Sequence, residues 1–99
     1  MLYCKKGDEP EFREILYDKN NDIVALSDNM SFFMINDVDA DDTHNVSCDS
    51  ANTYIVTQLT AKETAASGMY RCGYIIEYPD GVKITVPNRG NMWLNIGEK

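Results

Sequence analysis

The sequence predicts an all-β domain, and three observations carry that prediction. Short runs rich in β-branched and aromatic residues recur from end to end, separated by Asn, Asp, Gly and Pro. No apolar period of 3.6 residues persists for three turns, so no long amphipathic helix is expected. Ninety-nine residues, 43% hydrophobic and 25% charged, make one small folded unit that is too short to enclose two cores.

In chain order, residues 1–5 read as a strand and residues 6–11 as a polar loop. Residues 12–18 form a second strand, ended by Lys19-Asn20-Asn21-Asp22, whose Asn and Asp side chains favour tight turns. Residues 23–26 and 31–35 are further short strands on either side of Ser27-Asp28-Asn29. The acidic stretch 36–42 is a solvated loop. Residues 45–48 and 53–59 follow as strands, the latter rich in β-branched side chains. Residues 62–67 have room for one helical turn only. Residues 69–78 place Tyr70, Cys72, Tyr74 and Ile76 on one face and Arg71, Gly73 and Glu77 on the other. Tyr78-Pro79-Asp80-Gly81 is a hairpin signal, because Pro fixes φ at the second turn position and Gly accepts a positive φ at the fourth. Residues 82–86 return antiparallel, Pro87-Asn88-Arg89-Gly90 interrupts them, and residues 92–96 close the domain.

Sixteen acidic residues against nine basic ones give a net charge of −7. That balance opposes nucleic acid and anionic lipid, so the expected partner is another protein. No apolar run approaches the roughly 20 residues that span a bilayer, and no signal-peptide pattern is present. Membrane attachment is therefore expected only through parts outside this chain. Cys4, Cys48 and Cys72 are an odd number, so at most one intramolecular pair forms. Their spacing is unlike a zinc site, and a disulfide between distant strands is the better reading. Asn29-Met30-Ser31 and Asn45-Val46-Ser47 are glycosylation sequons at Asn29 and Asn45, as suits an exported protein, although about one is expected by chance.

Ser67-Gly68-Met69-Tyr70-Arg71-Cys72 resembles the S-G-x-Y-x-C signature of the immunoglobulin F strand. The resemblance implies a two-sheet Greek-key sandwich of the variable type (V-set). In it the hydroxyl of Tyr70 bonds back to backbone at the strand's start, and Cys72 points toward the opposite sheet. It makes Cys4 the B-strand partner in a Cys4–Cys72 bridge, since 68 residues separate the two. Such a bridge contributes about 3–4 kcal/mol through the unfolded state. Residues 23–35 then look like the extra C′ and C″ strands, and Gly90-Asn91-Met92-Trp93-Leu94-Asn95-Ile96 like a divergent G strand. A second register is open, in which Leu2-Tyr3-Cys4-Lys5-Lys6 resembles the C strand of polymeric-immunoglobulin-receptor-like leukocyte domains and Cys4 does not bridge Cys72.

The chain departs from the family in several places. No Trp follows Cys4 at the usual distance, so Ile15, Leu16 or Tyr17 must fill that volume. Ala66 stands where an Asp is usual, and only three residues precede Cys4, which leaves strand A short or missing. Loss of the Trp with the F-strand signature kept also resembles the divergent domains of invertebrate allorecognition receptors. Trp93 either fills core from another direction, the favoured expectation, or stands exposed for a partner.

Catalysis is not expected, because His44 is the single His and lies beside an acidic loop with no nucleophile in reach by sequence. Asp37-Val38-Asp39-Ala40-Asp41-Asp42 has the alternating carboxylates of a calcium loop but lacks its Gly and its bidentate Glu, so a solvated turn is expected and no metal or cofactor is implied. The resemblance implies an extracellular cell-surface domain that binds a protein ectodomain, either a different one or a copy of itself, in adhesion or in immune or self/non-self recognition. Its binding surface is expected on one sheet, at Arg13, Tyr17, Arg71, Ile75, Glu77, Tyr78, Lys83 and Trp93. A spacer module in a tandem array and a secreted decoy are the alternatives.

Overall fold

The computed structural model describes residues 1–87 and 92–99, and among them the secondary structure is all strand. The elements are β1 (Leu2–Lys5), β2 (Glu11–Glu14), β3 (Asn29–Asn36), β4 (Thr43–Ser47), β5 (Asp49–Ala51), β6 (Tyr54–Gln58), β7 (Gly68–Glu77), β8 (Lys83–Val86) and β9 (Met92–Gly97). They form two sheets. The larger has the order β1-β9-β7-β3-β4, with β8 also on β7, and the smaller has the order β2-β6-β5.

Alternation decides what each strand buries. Along β7, Tyr70, Cys72, Tyr74 and Ile76 are buried while Arg71 is exposed. From the smaller sheet, Ile55 and Thr57 of β6 face them, and both sheets contribute to one apolar cluster that includes Phe32, Met34, Leu94 and Ile96. Phe32 and Tyr74 pack with ring centroids 5.4 Å apart at 58°. The hairpin closes as its residues dictate: Tyr78 N–H donates to the Val82 carbonyl, Gly81 N–H donates to that of Tyr78, and Gly81 takes φ +91.

Four expectations are corrected. β1 is not the B strand facing the sheet of β7, because it runs parallel to β9 as the edge of that same larger sheet, with Cys4 opposite Ile96. Residues 12–18 end as a strand at Glu14, and residues 23–26 leave a single bridge between Tyr17 and Ile23. Residues 31–35 lie within the longer β3, which pairs with β7 and occupies the middle of the larger sheet. Residues 62–67 form turns and no helix: Thr64 N–H reaches the Thr60 carbonyl, and the Glu63 carboxylate accepts from Thr60 N–H at 2.7 Å, closing the turn on itself. The interruption expected at 88–90 lies outside the described residues.

The Cys4–Cys72 disulfide is also corrected, because all three thiols are free and buried. Cys4 sits opposite Ile96, which itself sits opposite Gly68, so Cys4 and Cys72 share a sheet, two strands and four residues apart. That offset amounts to roughly 16 Å, where a disulfide needs Cα atoms about 5.5 Å apart. The same placement overturns the alternative in which Cys4 lies on the strand that here is β3.

Candidate functional site

The outward face of the larger sheet is built from cross-strand rows. Ile35, Arg71 and Trp93 stand side by side on β3, β7 and β9. Phe33 lies beside Gly73 in the next row, then Ser31 beside Ile75 and Thr85, then Asn29 beside Glu77 and Lys83. The centre of this face is apolar and half-exposed, at Phe33, Ile35, Ile75 and Trp93, and its margin is polar. Such an arrangement suits contact with another macromolecule, where aromatic and Arg side chains at the centre supply most of the binding energy.

Two close approaches shape the centre. A Cβ on Gly73 would meet the Val86 carbonyl at 2.7 Å and the Phe33 ring at 2.9 Å, so the absence of a side chain there lets the Phe33 ring lie down on β7. Arg71 is exposed in the first row and has no carboxylate partner among the described residues. At the margin, the Glu77 carboxylate accepts from the Asn29 side-chain amide at 2.7 Å. A shallow depression of about 360 Å³ opens there between Asn29, Ser31, Asn45, Ile75, Glu77 and Lys83. A larger open hollow of about 570 Å³ adjoins it below the β7–β8 hairpin, walled by Asp28, Tyr78 and Pro79.

Five of the eight expected surface residues meet on this face: Arg71, Ile75, Glu77, Lys83 and Trp93. Trp93 therefore belongs to the surface, because Leu94 and Ile96 take the inward positions of β9. Arg13, Tyr17 and Tyr78 do not belong to it. Arg13 lies on β2 of the smaller sheet, where its guanidinium contacts Glu11 at 2.6 Å. Tyr17 is exposed on the connection from β2 to β3. Tyr78 packs against the core and donates its hydroxyl to the Ala25 carbonyl at 2.7 Å. Phe33 and Ile35 were missed by sequence reasoning. Their signal was the run Met30-Ser31-Phe32-Phe33-Met34-Ile35, which places apolar side chains on both faces of one strand.

A polar cluster braces one end of the same sheet. The Tyr70 hydroxyl lies 2.5 Å from Asp42 Oδ2 and 3.2 Å from the Ala66 carbonyl, and both accept from it. Asn36 Nδ2 donates to Asp42 Oδ2 at 3.1 Å, and His44 Nε2 contacts Asp42 Oδ1 at 2.8 Å. Burial alone would raise the Asp42 carboxyl, but hydrogen bonds from Tyr70, Asn36 and His44 outweigh it and hold its pKa below the ordinary value. Burial and the neighbouring Asp42 push the Tyr70 hydroxyl up to about 12. Asp37, Asp39 and Asp41 point to solvent, and among the described residues no group of three or more His, Cys, Asp and Glu side chains is placed to hold a metal ion. Comparison with family models, curated proteins and solved structures found no match for this chain.

Proposed function

We propose that this chain is a divergent variable-type immunoglobulin-like domain that acts as an extracellular recognition module, binding another protein ectodomain through the outward face of its larger sheet. The observation that carries the reading is the apolar centre of that face, at Phe33, Ile35, Ile75 and Trp93 around Arg71, with β3 apolar on both sides. An ordinary solvated sheet face carries polar residues at such positions.

The topology supports the immunoglobulin part of the reading. The order β4-β3-β7-β9 corresponds to C′, C, F and G of the variable type, and β2-β6-β5 to B, E and D. In that correspondence Glu14, reaching inward from β2 within electrostatic range of Cys72, stands on the strand where the family carries its first bridging Cys. Met34, buried opposite Cys72, takes the place of the strand-C Trp. The Tyr70 hydroxyl reaching the Ala66 carbonyl is the backbone contact of the family's tyrosine corner. The module is a binder and not an enzyme in this reading, placed outside the cell by segments beyond this chain. Its sequon Asn45 is exposed on β4 beside Phe33, so a glycan there would narrow the contact to the β7–β9 side.

Self-recognition is the specific form tested first. Arg71 and Glu77 lie on one face of β7, six residues apart, so a two-fold axis between them pairs Arg71 of each copy with Glu77 of the other. Sedimentation from about 1 to several hundred micromolar, with and without reductant, should show a mass that rises with concentration in both conditions and stays monomeric in the Arg71→Glu variant. A monomer throughout removes self-recognition, and association that survives Arg71→Glu removes this face.

A further inference from the structure

A half-buried carboxylic acid that the recognition surface does not use reaches into the space between the sheets. Glu14 points inward from β2, and its Oε1 is buried without a hydrogen-bond partner among the described residues. Tyr74 of β7 is wholly buried, and its hydroxyl is likewise without one. The groups around the pair are identifiable element by element. β7 supplies Tyr74 and the Cys72 thiol, the corner between β4 and β5 supplies the Cys48 thiol, and β6 supplies the uncharged Thr57, whose hydroxyl sits 3.3 Å from Cys48 Sγ. Arg13, the cation next in sequence, points to the opposite face and contacts Glu11.

An ionised carboxylate in this setting has the Tyr74 hydroxyl nearby but no cationic side chain paired with it among the described residues, while a neutral carboxyl costs less to bury. We propose that Glu14 makes the folding of this domain proton-linked: its place between the sheets favours the neutral carboxyl, and its ionisation as pH rises loosens their packing. Burial raises its pKa, only partly offset by the nearby Tyr74 hydroxyl. The same placement pushes the Cys72 thiol up to about 12, through burial first and the Glu14 charge second. Because the folded carboxyl holds its proton more tightly than the unfolded one, stability is full below the ordinary glutamate value. It declines as pH rises from there through the folded value and is level above it.

Thermal unfolding of the whole chain between pH 4.5 and 8 tests this. The wild type should lose about 5 °C in Tm across that range. Glu14→Gln should flatten the decline and melt above the wild type at pH 8, with Glu14→Met serving the same purpose if the amide variant does not fold. Glu11→Gln, an equal charge change at an exposed position of the same strand, should keep the wild-type decline. Parallel profiles for wild type and the Glu14 variants overturn the proposal. So does a carbon-13 titration of the Glu14 carboxyl with a midpoint at or below the ordinary glutamate value.

Discussion

Tyr70 and Tyr74 lie four residues apart on the same inward face of β7, both wholly buried, and they meet opposite circumstances. Tyr70 delivers its hydroxyl to Asp42 and Ala66, so the end of the larger sheet is closed by satisfied hydrogen bonds. Tyr74 delivers its hydroxyl into the middle of the sandwich beside a Glu14 carboxylate oxygen that is also unpartnered. The lesson is that position along a strand, and not residue type, decides whether a buried phenol stabilises. At the sheet end a loop carboxylate and a free carbonyl are within reach, whereas between the sheets the backbone groups are already used by the ladders.

The comparison can be broken at either end. The largest effect is expected from Glu14→Cys under oxidising conditions, because Glu14 reaches inward from the smaller sheet within electrostatic range of Cys72 on the larger. A cross-link to Cys72, read by peptide mass spectrometry, would close a loop of nearly 60 residues and stabilise the domain by about 4 kcal/mol. Failure to form it would show that β2 and β7 are not opposed at this level.

At the satisfied end, Asp42→Ala should cost about 3 kcal/mol, since it removes a charged acceptor from Tyr70, Asn36 and His44 and leaves buried donors unpaired. The pH dependence there has the sign opposite to that of Glu14. The folded Asp42 pKa is depressed, so its contribution is present above the ordinary aspartate value and is lost as pH falls through the folded one. Asp42→Asn should therefore be less acid-sensitive than the wild type in denaturant titrations below pH 4, and equal sensitivity would remove Asp42 as the cause.

Smaller effects sharpen the contrast between the two phenols. Tyr70→Phe should cost about 1.5 kcal/mol in urea unfolding. Tyr74→Phe should lie within about 0.5 kcal/mol of the wild type or stabilise, because it removes an orphaned hydroxyl and keeps the ring against Phe32. Equal losses for the two variants would mean that Tyr74 has a partner after all.

Much of this molecule was readable in single stretches of sequence. The alternation of β7 named its buried and exposed faces, the Tyr78-Pro79-Asp80-Gly81 hairpin formed where its turn residues stand, and Tyr70 found the carbonyl four residues back. Each of these depends on neighbours a few residues away, where backbone preference and side-chain period act directly. The mistakes arose where a strand had to choose a distant partner. Taking residues 12–18 for a strand of the larger sheet put Arg13 and Tyr17 on the recognition surface, and taking Cys4 for the partner of Cys72 placed β1 in the wrong sheet.

The sequence by itself determined an all-β chain, the inward set on β7, the closing turn and a net charge of −7. Only the tertiary structure decided that β1 pairs with β9, that Phe33 and Ile35 join Arg71 and Trp93 on one face, and that Glu14 turns a buried carboxyl oxygen inward near Tyr74. The physical reason is that strand alternation leaves two faces and many partners open. Which face is covered, and by what, depends on contacts between residues tens of positions apart.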